Sequence, residues 1–255
     1  MRSGAVFLSV LCSSLAVAGE SGIKSMSAGI RPVVSLLGGY ASIEAGSSSR
    51  HVSDDNIVFS YTGIGNGKST GFIGSFAGIE FQLPYYNLFM QGGVEYDYFG
   101  SVRVNGINTV GIEPSTLTLY NYRYNFQSQQ VLAVAKLFTT THQIIHPYAA
   151  VGIGAAFNNA QQYRAVTPES GSINLTPFFH NSNHTSFTYN LGLGIDADIN
   201  KKIRVGLGYR FSDFGKSSLG NGQVLFNDYV APVAFRLNSS HAYANQLIAQ
   251  ISYVA

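Results

Sequence analysis

The sequence predicts an all-β protein: a single closed antiparallel transmembrane β-barrel of eight strands, with short turns at one end and long loops at the other. Three observations carry this. Apolar and polar residues alternate with period two in one segment after another. Beyond the first residues, no run of about 18 apolar residues could cross a membrane as a helix. Composition adds 28 Gly, 16 Tyr and 17 Phe with no Trp and 11% charged residues, which suits a wall with one greasy and one polar face.

Residues 1–18 read as a secretory signal and residues 19–255 as the barrel. Arg2 gives a short positive start, the stretch from Ala5 to Leu11 an apolar core, and Ala16-Val17-Ala18 a small-x-small cleavage pattern. The one cysteine, Cys12, lies inside the signal, so the mature chain has neither a disulfide nor a thiol nucleophile.

The strands follow in chain order. Pro32 to Glu44 is strand-like, but both faces are apolar enough that neither is marked as outward. Ile73, Ala77, Ile79, Phe81 and Leu83 oppose Gly74, Gly78, Glu80 and Gln82. Leu88, Met90, Val94, Tyr96 and Tyr98 oppose Gln91, Gly93, Glu95 and Asp97. Tyr120 to Phe138 is long, and its polar positions from Asn121 to Gln129 change parity near Val131, which predicts a β-bulge. Ala149, Val151, Ile153, Ala155 and Phe157 oppose Tyr148, Gly152 and Gly154. The clearest alternation runs from Phe187 to Ile199, with Leu191, Leu193 and Ile195 against Asn190, Gly192, Gly194, Asp196 and Asp198. After Asn200-Lys201-Lys202 it resumes with Ile203, Val205, Leu207, Tyr209 and Phe211 against Arg204, Gly206, Gly208, Arg210 and Ser212. Leu247, Ala249, Ile251 and Tyr253 form the outward face of the last strand.

Short connections near Pro84, Thr139–Gln143 and Asn200–Lys202 alternate with long ones at Ala45–Lys68, Gly100–Thr118, Asn158–His184 and Asp213–Ser240. A soluble barrel would put the apolar face inside. Here the polar face carries paired glycines with Asp and Arg, which suits a crowded narrow lumen. The apolar face ends in Tyr96, Tyr98, Phe138, Phe157, Phe187, Tyr209, Phe211 and Tyr253, which are expected at the membrane interfaces. The chain is therefore placed in a Gram-negative outer membrane as a multi-pass barrel, with outer-membrane lipid and lipopolysaccharide as its surroundings.

The stretch Tyr189-Asn190-Leu191-Gly192-Leu193-Gly194-Ile195-Asp196, followed by Tyr209-Arg210-Phe211-Ser212-Asp213-Phe214-Gly215, resembles the closing hairpin of the OmpA-like and opacity-type surface barrels. The resemblance implies surface-exposed loops and roles in adhesion, host contact or envelope integrity. Such barrels usually end on an aromatic residue, whereas Val254-Ala255 follow Tyr253 here, and their interfacial Trp residues are absent.

Glu80, Glu95, Asp97, Asp196, Arg204 and Arg210 are expected to meet as a plug of paired charges, because buried charge must be paired. Thr62-Gly63-Ile64-Gly65-Asn66-Gly67-Lys68-Ser69 nearly spells a phosphate loop, but Thr62 stands where the first glycine is required and strand rather than helix follows. His180-Asn181-Ser182-Asn183 is similar to the H-x-S-N element of an outer-membrane lipid A deacylase family, so His180 and Ser182 are the catalytic alternative. Asp196, at the wanted spacing, has the parity of the lumen. No metal site, cofactor or nucleic-acid partner is expected, since the histidines lack further ligands in sequence and no basic cluster accompanies the net charge of +2. The reading is a monomeric, non-enzymatic surface barrel whose loops bind a host or cell-surface ligand. A lipid A-modifying esterase and a small gated porin are the alternatives.

Overall fold

The computed structural model describes residues 29–45, 48–52, 58–64, 67–84, 88–111, 118–140, 144–166, 177–226 and 229–255. Residues 1–18, read from the sequence as a secretory signal, lie outside them. Eight strands close on themselves in cyclic antiparallel order. β1 (Arg31–Glu44) pairs β4 (Lys68–Gln82), then β5 (Leu88–Phe99), β7 (Thr118–Thr139), β8 (Ile145–Val166), β10 (Ser182–Asp198), β11 (Ile203–Phe226) and β12 (Tyr229–Val254), which returns to β1. At the β10–β11 turn the Asn200 side-chain oxygen accepts the Lys202 and Ile203 N–H groups, both at 2.9 Å, and this local bond sets the hairpin.

The remaining strands prolong this wall on the extracellular side. β2 (Ser48–Val52) pairs β3 (Val58–Gly63) as β1 pairs β4; β3 pairs β6 (Val102–Gly111) as β4 pairs β5; and β6 pairs the upper part of β7. β9 (Phe178–Phe179) lies against β11 just beyond the start of β10. Above the closed part the pairing divides into two leaves, β2-β3-β6-β7-β8 and β9-β11-β12. Most of the stretches read as long loops are therefore sheet. β7 and β8 run for 22 residues each. At ~3.3 Å per residue and a tilt near 40°, such a strand rises roughly 55 Å, about twice the ~25 Å apolar band.

Inside the membrane the faces fall as alternation demands. Leu191, Leu193, Ile195, Leu207, Leu247 and Ile251 are exposed to lipid, Leu207 at 70%, while Glu80, Asp97, Asp196, Arg204 and Arg210 are buried. In β1 the outward residues are Val34, Leu36 and Tyr40, and Val33, Ser35 and Leu37 face the lumen.

The bulge expected in β7 is absent. From Tyr120 to Phe138 every even-numbered residue points inward, Val134 being only half-buried, and the odd-numbered ones point out. What changes is polarity. Outward residues run Val131, Ala133, Ala135, Leu137 in the membrane and Asn121, Arg123, Asn125, Gln127 above it, while the inward face changes from Lys136 and Gln130 to Phe126, Tyr124 and Tyr122. The apparent parity switch is the membrane–water boundary crossing one unbroken strand. A bulge does occur, but in β8: the register slips between Arg123 and Asn125, where Gln162 adopts φ 58.

Candidate functional site

The lumen holds charge clusters stacked along the axis. Nearest the periplasm, Arg204 donates to Glu80 Oε2 and Asp198 Oδ1, each at 2.8 Å. Arg31 and Gln91 also bond Glu80, and His146 Nε2 lies 2.8 Å from Asp198 Oδ2. In the middle, Lys136 Nζ donates to Asp196 Oδ2 at 2.5 Å and sits 3.7 Å from the centre of the Tyr148 ring. Gln250 donates to the other Asp196 oxygen at 2.8 Å. Higher up, Arg210 reaches Glu95, Asp97 at 2.8 Å and Gln246 at 2.8 Å, and Gln246 passes on to Ser212. Nearly every charge is thus answered by an opposite one within hydrogen-bond reach, which a low-dielectric interior requires. A cavity of ≈ 50 Å³ remains, lined by Gln91, Glu95, Lys136, Tyr148, Asn190 and Arg210 among others.

Glycine makes room for the rings. Gly194 and Gly208 face each other across β10 and β11, and a Cβ on either would lie within 2.5 Å of the Tyr148 hydroxyl. The paired glycines form the recess into which Tyr148 folds over Lys136.

The six charged residues read from the sequence all line the lumen, but in separate clusters: Glu80 with Arg204, Glu95 and Asp97 with Arg210, and Asp196 apart from these. The partner of Asp196, Lys136, was hidden by the mistaken parity of β7. Arg31 and His146 were missed because one starts a strand of undecided faces and the other precedes Pro147. Of the aromatics expected at the interfaces, Tyr96, Tyr98, Phe157, Phe187, Tyr209 and Tyr253 are exposed and Phe211 half-exposed on the outer wall. Phe138 is the exception. It keeps the inward parity of Lys136, is 2% exposed, and stacks on Phe89 beneath the Arg204 guanidinium.

Above the charges the interior turns aromatic. Phe214 packs against Phe99 and Phe126, with ring centres 4.9 and 6.4 Å apart, and forms a floor. Its neighbour Asp213 accepts the Gly215 N–H at 2.7 Å and faces His241 Nδ1 at 2.7 Å, which pins the irregularity where Gly215 takes φ +69. On this floor the two leaves meet through rings. Phe179 lies 5.1 Å from Tyr163 and 5.9 Å from Tyr61, and Phe235 lies 5.5 Å from Phe59. Burial pushes the Tyr61 phenol well above its ordinary pKa, with Tyr163 and Tyr122 adding to the shift.

His180 and Ser182 are not joined by a carboxylate. His180 is exposed at the β9–β10 junction, whereas Asp196 is 14 residues beyond Ser182 along β10, roughly 45 Å at ~3.3 Å per residue, and faces into the lumen. Gly63 ends β3 and Lys68 begins β4, so the phosphate-loop likeness joins two strands. Among the described residues no three His, Cys, Asp or Glu side chains gather at metal-binding distance.

A closed antiparallel wall with a lipid-facing apolar belt and a charged lumen is the architecture of an outer-membrane barrel. Residues 5–236 match the model of the outer membrane protein beta-barrel domain. The chain belongs to that family. It is a β-barrel of the Gram-negative outer membrane. No curated protein sequence is significantly similar to it. The barrel is similar in structure to Neisserial surface protein A, at 14% identity over 86% of this chain and 96% of that one, with a TM-score of 0.44. It is similar also to the outer membrane protease OmpT from Escherichia coli, at 7% identity over 91% and 99%, with a TM-score of 0.50. A third similar barrel is the outer membrane protein OprG from Pseudomonas aeruginosa, at 12% identity over 88% and 95%, with a TM-score of 0.38. OmpT corrects one expectation. A barrel of this shape can house a protease, so the fold gives no ground for excluding catalysis, and the non-enzymatic reading of the sequence does not stand.

Proposed function

We propose that this barrel acts outward: its lumen is plugged by paired charges, and its extracellular half is a rigid platform whose tips contact host molecules or other cells. The observation that carries the reading is the aromatic core above the membrane. A wall that had only to cross the bilayer could end at the interfacial aromatics, whereas these strands continue for a comparable height with their own packed interior. Loops held on such a base are positioned for recognition rather than tethered on long coils. The plug is supported by the ion pairs that meet across the lumen and by the ≈ 50 Å³ left between them, room for little more than a few waters.

The test replaces residues 167–176 and, separately, 227–228 by short Gly-Ser segments, with insertion checked by heat-modifiable mobility. Adherence of cells displaying each variant, to host monolayers and to one another, is expected to fall. Unchanged adherence removes the reading. In planar bilayers the wild-type chain is expected to be silent, and a steady conductance would replace the plug with a porin.

A further inference from the structure

Three arginines stand together on the outer wall, above the lipid-facing belt. In the β7–β8 register Arg123 is directly opposite Arg164, and in the β6–β7 register Arg103 is opposite Asn125, two residues along from Arg123 on the same face. All three side chains are exposed, and among the described residues none has a carboxylate at ion-pair distance. They rim a polar recess of ≈ 230 Å³ completed by Asn125 and Gln162. The recess is built by the β8 bulge. Gln162 holds its unfavourable φ of 58 while Asn125 donates to its side-chain oxygen at 2.8 Å and Asn181 accepts its N–H at 2.9 Å.

Like charges placed directly opposite each other destabilise a sheet, so this arrangement calls for an anion. Height identifies which. Gln129, opposite Phe157 and bonded by the Tyr96 hydroxyl, marks the interfacial aromatics. Asn125 lies four residues beyond it, about 13 Å along the strand and about 10 Å above the belt once tilt is allowed for. On the outer face of a barrel, that level faces the headgroups of the outer leaflet rather than open solvent. Arginine forks match phosphate oxygens two at a time.

We propose that Arg103, Arg123 and Arg164 form a binding site for the phosphorylated headgroup of lipopolysaccharide, fixing the barrel's rotation and depth in the outer leaflet. The site is on the outer wall and is independent of whatever the loop tips bind. It leaves the lumen and its ion pairs untouched.

The test begins with the full-length protein extracted from outer membranes in mild detergent, with retained lipopolysaccharide measured by native mass spectrometry. R103Q/R123Q/R164Q is expected to retain about tenfold less than wild type, each cation near the surface contributing to the loss. R103K/R123K/R164K, which keeps the charge, is expected to retain most of it, and R236Q, outside the cluster, all of it. Retention by the glutamine variant equal to wild type overturns the site. Heat-modifiable mobility checks that each variant is folded. A second arm needs no variant: wild-type protein is reconstituted into phosphatidylcholine vesicles carrying either intact or chemically dephosphorylated lipopolysaccharide. Thermal stabilisation by the intact form alone supports the assignment, and equal stabilisation by both overturns it. Inorganic phosphate or a soluble sulfated polysaccharide displacing the lipid at low concentration would move the ligand from the leaflet to solution and also overturn it.

Discussion

The membrane half and the extracellular half of this barrel are made from the same strands and have opposite insides. In the membrane the lumen holds Lys136, Asp196, Arg210 and Glu95, and the outer wall is apolar. Above it the interior holds Tyr61, Tyr122, Phe126 and Phe179, and the outer wall is polar. The backbone is alike in both. The solvent differs, and a β-strand offers each solvent one face of its choosing. In the lower half, burial of apolar area contributes little, since hydrocarbon lies outside; stability rests on the backbone hydrogen bonds of the closed wall, and each lumen charge is tolerated only while its partner is present. In the upper half, the hydrophobic effect operates as it does in a soluble sandwich.

The contrast can be broken at its strongest point first. Arg210→Ala strands Glu95 and Asp97 in the lumen and is expected to cost about 3–5 kcal/mol, read from urea unfolding of the reconstituted barrel. Little loss would mean that water reaches these groups freely. Phe126→Ala removes a floor ring from the upper core and is expected to cost about 3 kcal/mol. It should leave the membrane half resistant to protease while the upper strands become cleavable; uniform resistance would deny the two halves separate cores. One substitution on a single face of β7 then compares the solvents directly. Ala135→Arg faces hydrocarbon and is expected to cost ~2–4 kcal/mol, whereas Asn121→Arg faces water and should fall within about 0.5 kcal/mol of wild type. Equal costs would place the membrane boundary elsewhere. The smallest effect is at the bulge, where Gln162→Gly relieves the φ of 58 and is expected to stabilise by about 1 kcal/mol. Destabilisation there would show that the Asn125 and Asn181 bonds outweigh the strain.

That comparison also explains what was legible in the sequence. From Phe187 to Phe211 the strands lie wholly in one solvent regime, so alternation gives strand, face and turn directly. β7 crosses the boundary, and a rule that assigns apolar residues to lipid reads its crossing as a bulge. Phe138 and Lys136 were misplaced or missed for that reason. The β8 bulge was invisible, because Gln162 in a left-handed conformation carries no glycine or asparagine signature. The continuation strands looked like loops because their outward residues are those of any hydrated surface: Arg103 and Asn105 in β6, Lys216 and Asn221 in β11. Pairing partners across the lumen were beyond reach, since alternation assigns a face but not the height at which two faces meet.

The seam between β1 and β12 governs the order of events during assembly. Val33 lies opposite Val254, and the hydroxyls of Ser35 and Ser252 meet at 2.7 Å, contacts that link the first and last described strands. Contacts between residues so distant in sequence are slow to form, because nearly the whole chain must be threaded before they can exist. Until β12 arrives, β1 and β11 each present an unsatisfied edge, and in a lipid environment such an edge is not tolerated. The last strand is therefore the latch of the wall: by pairing β1 on one side and β11 on the other it removes both edges at once.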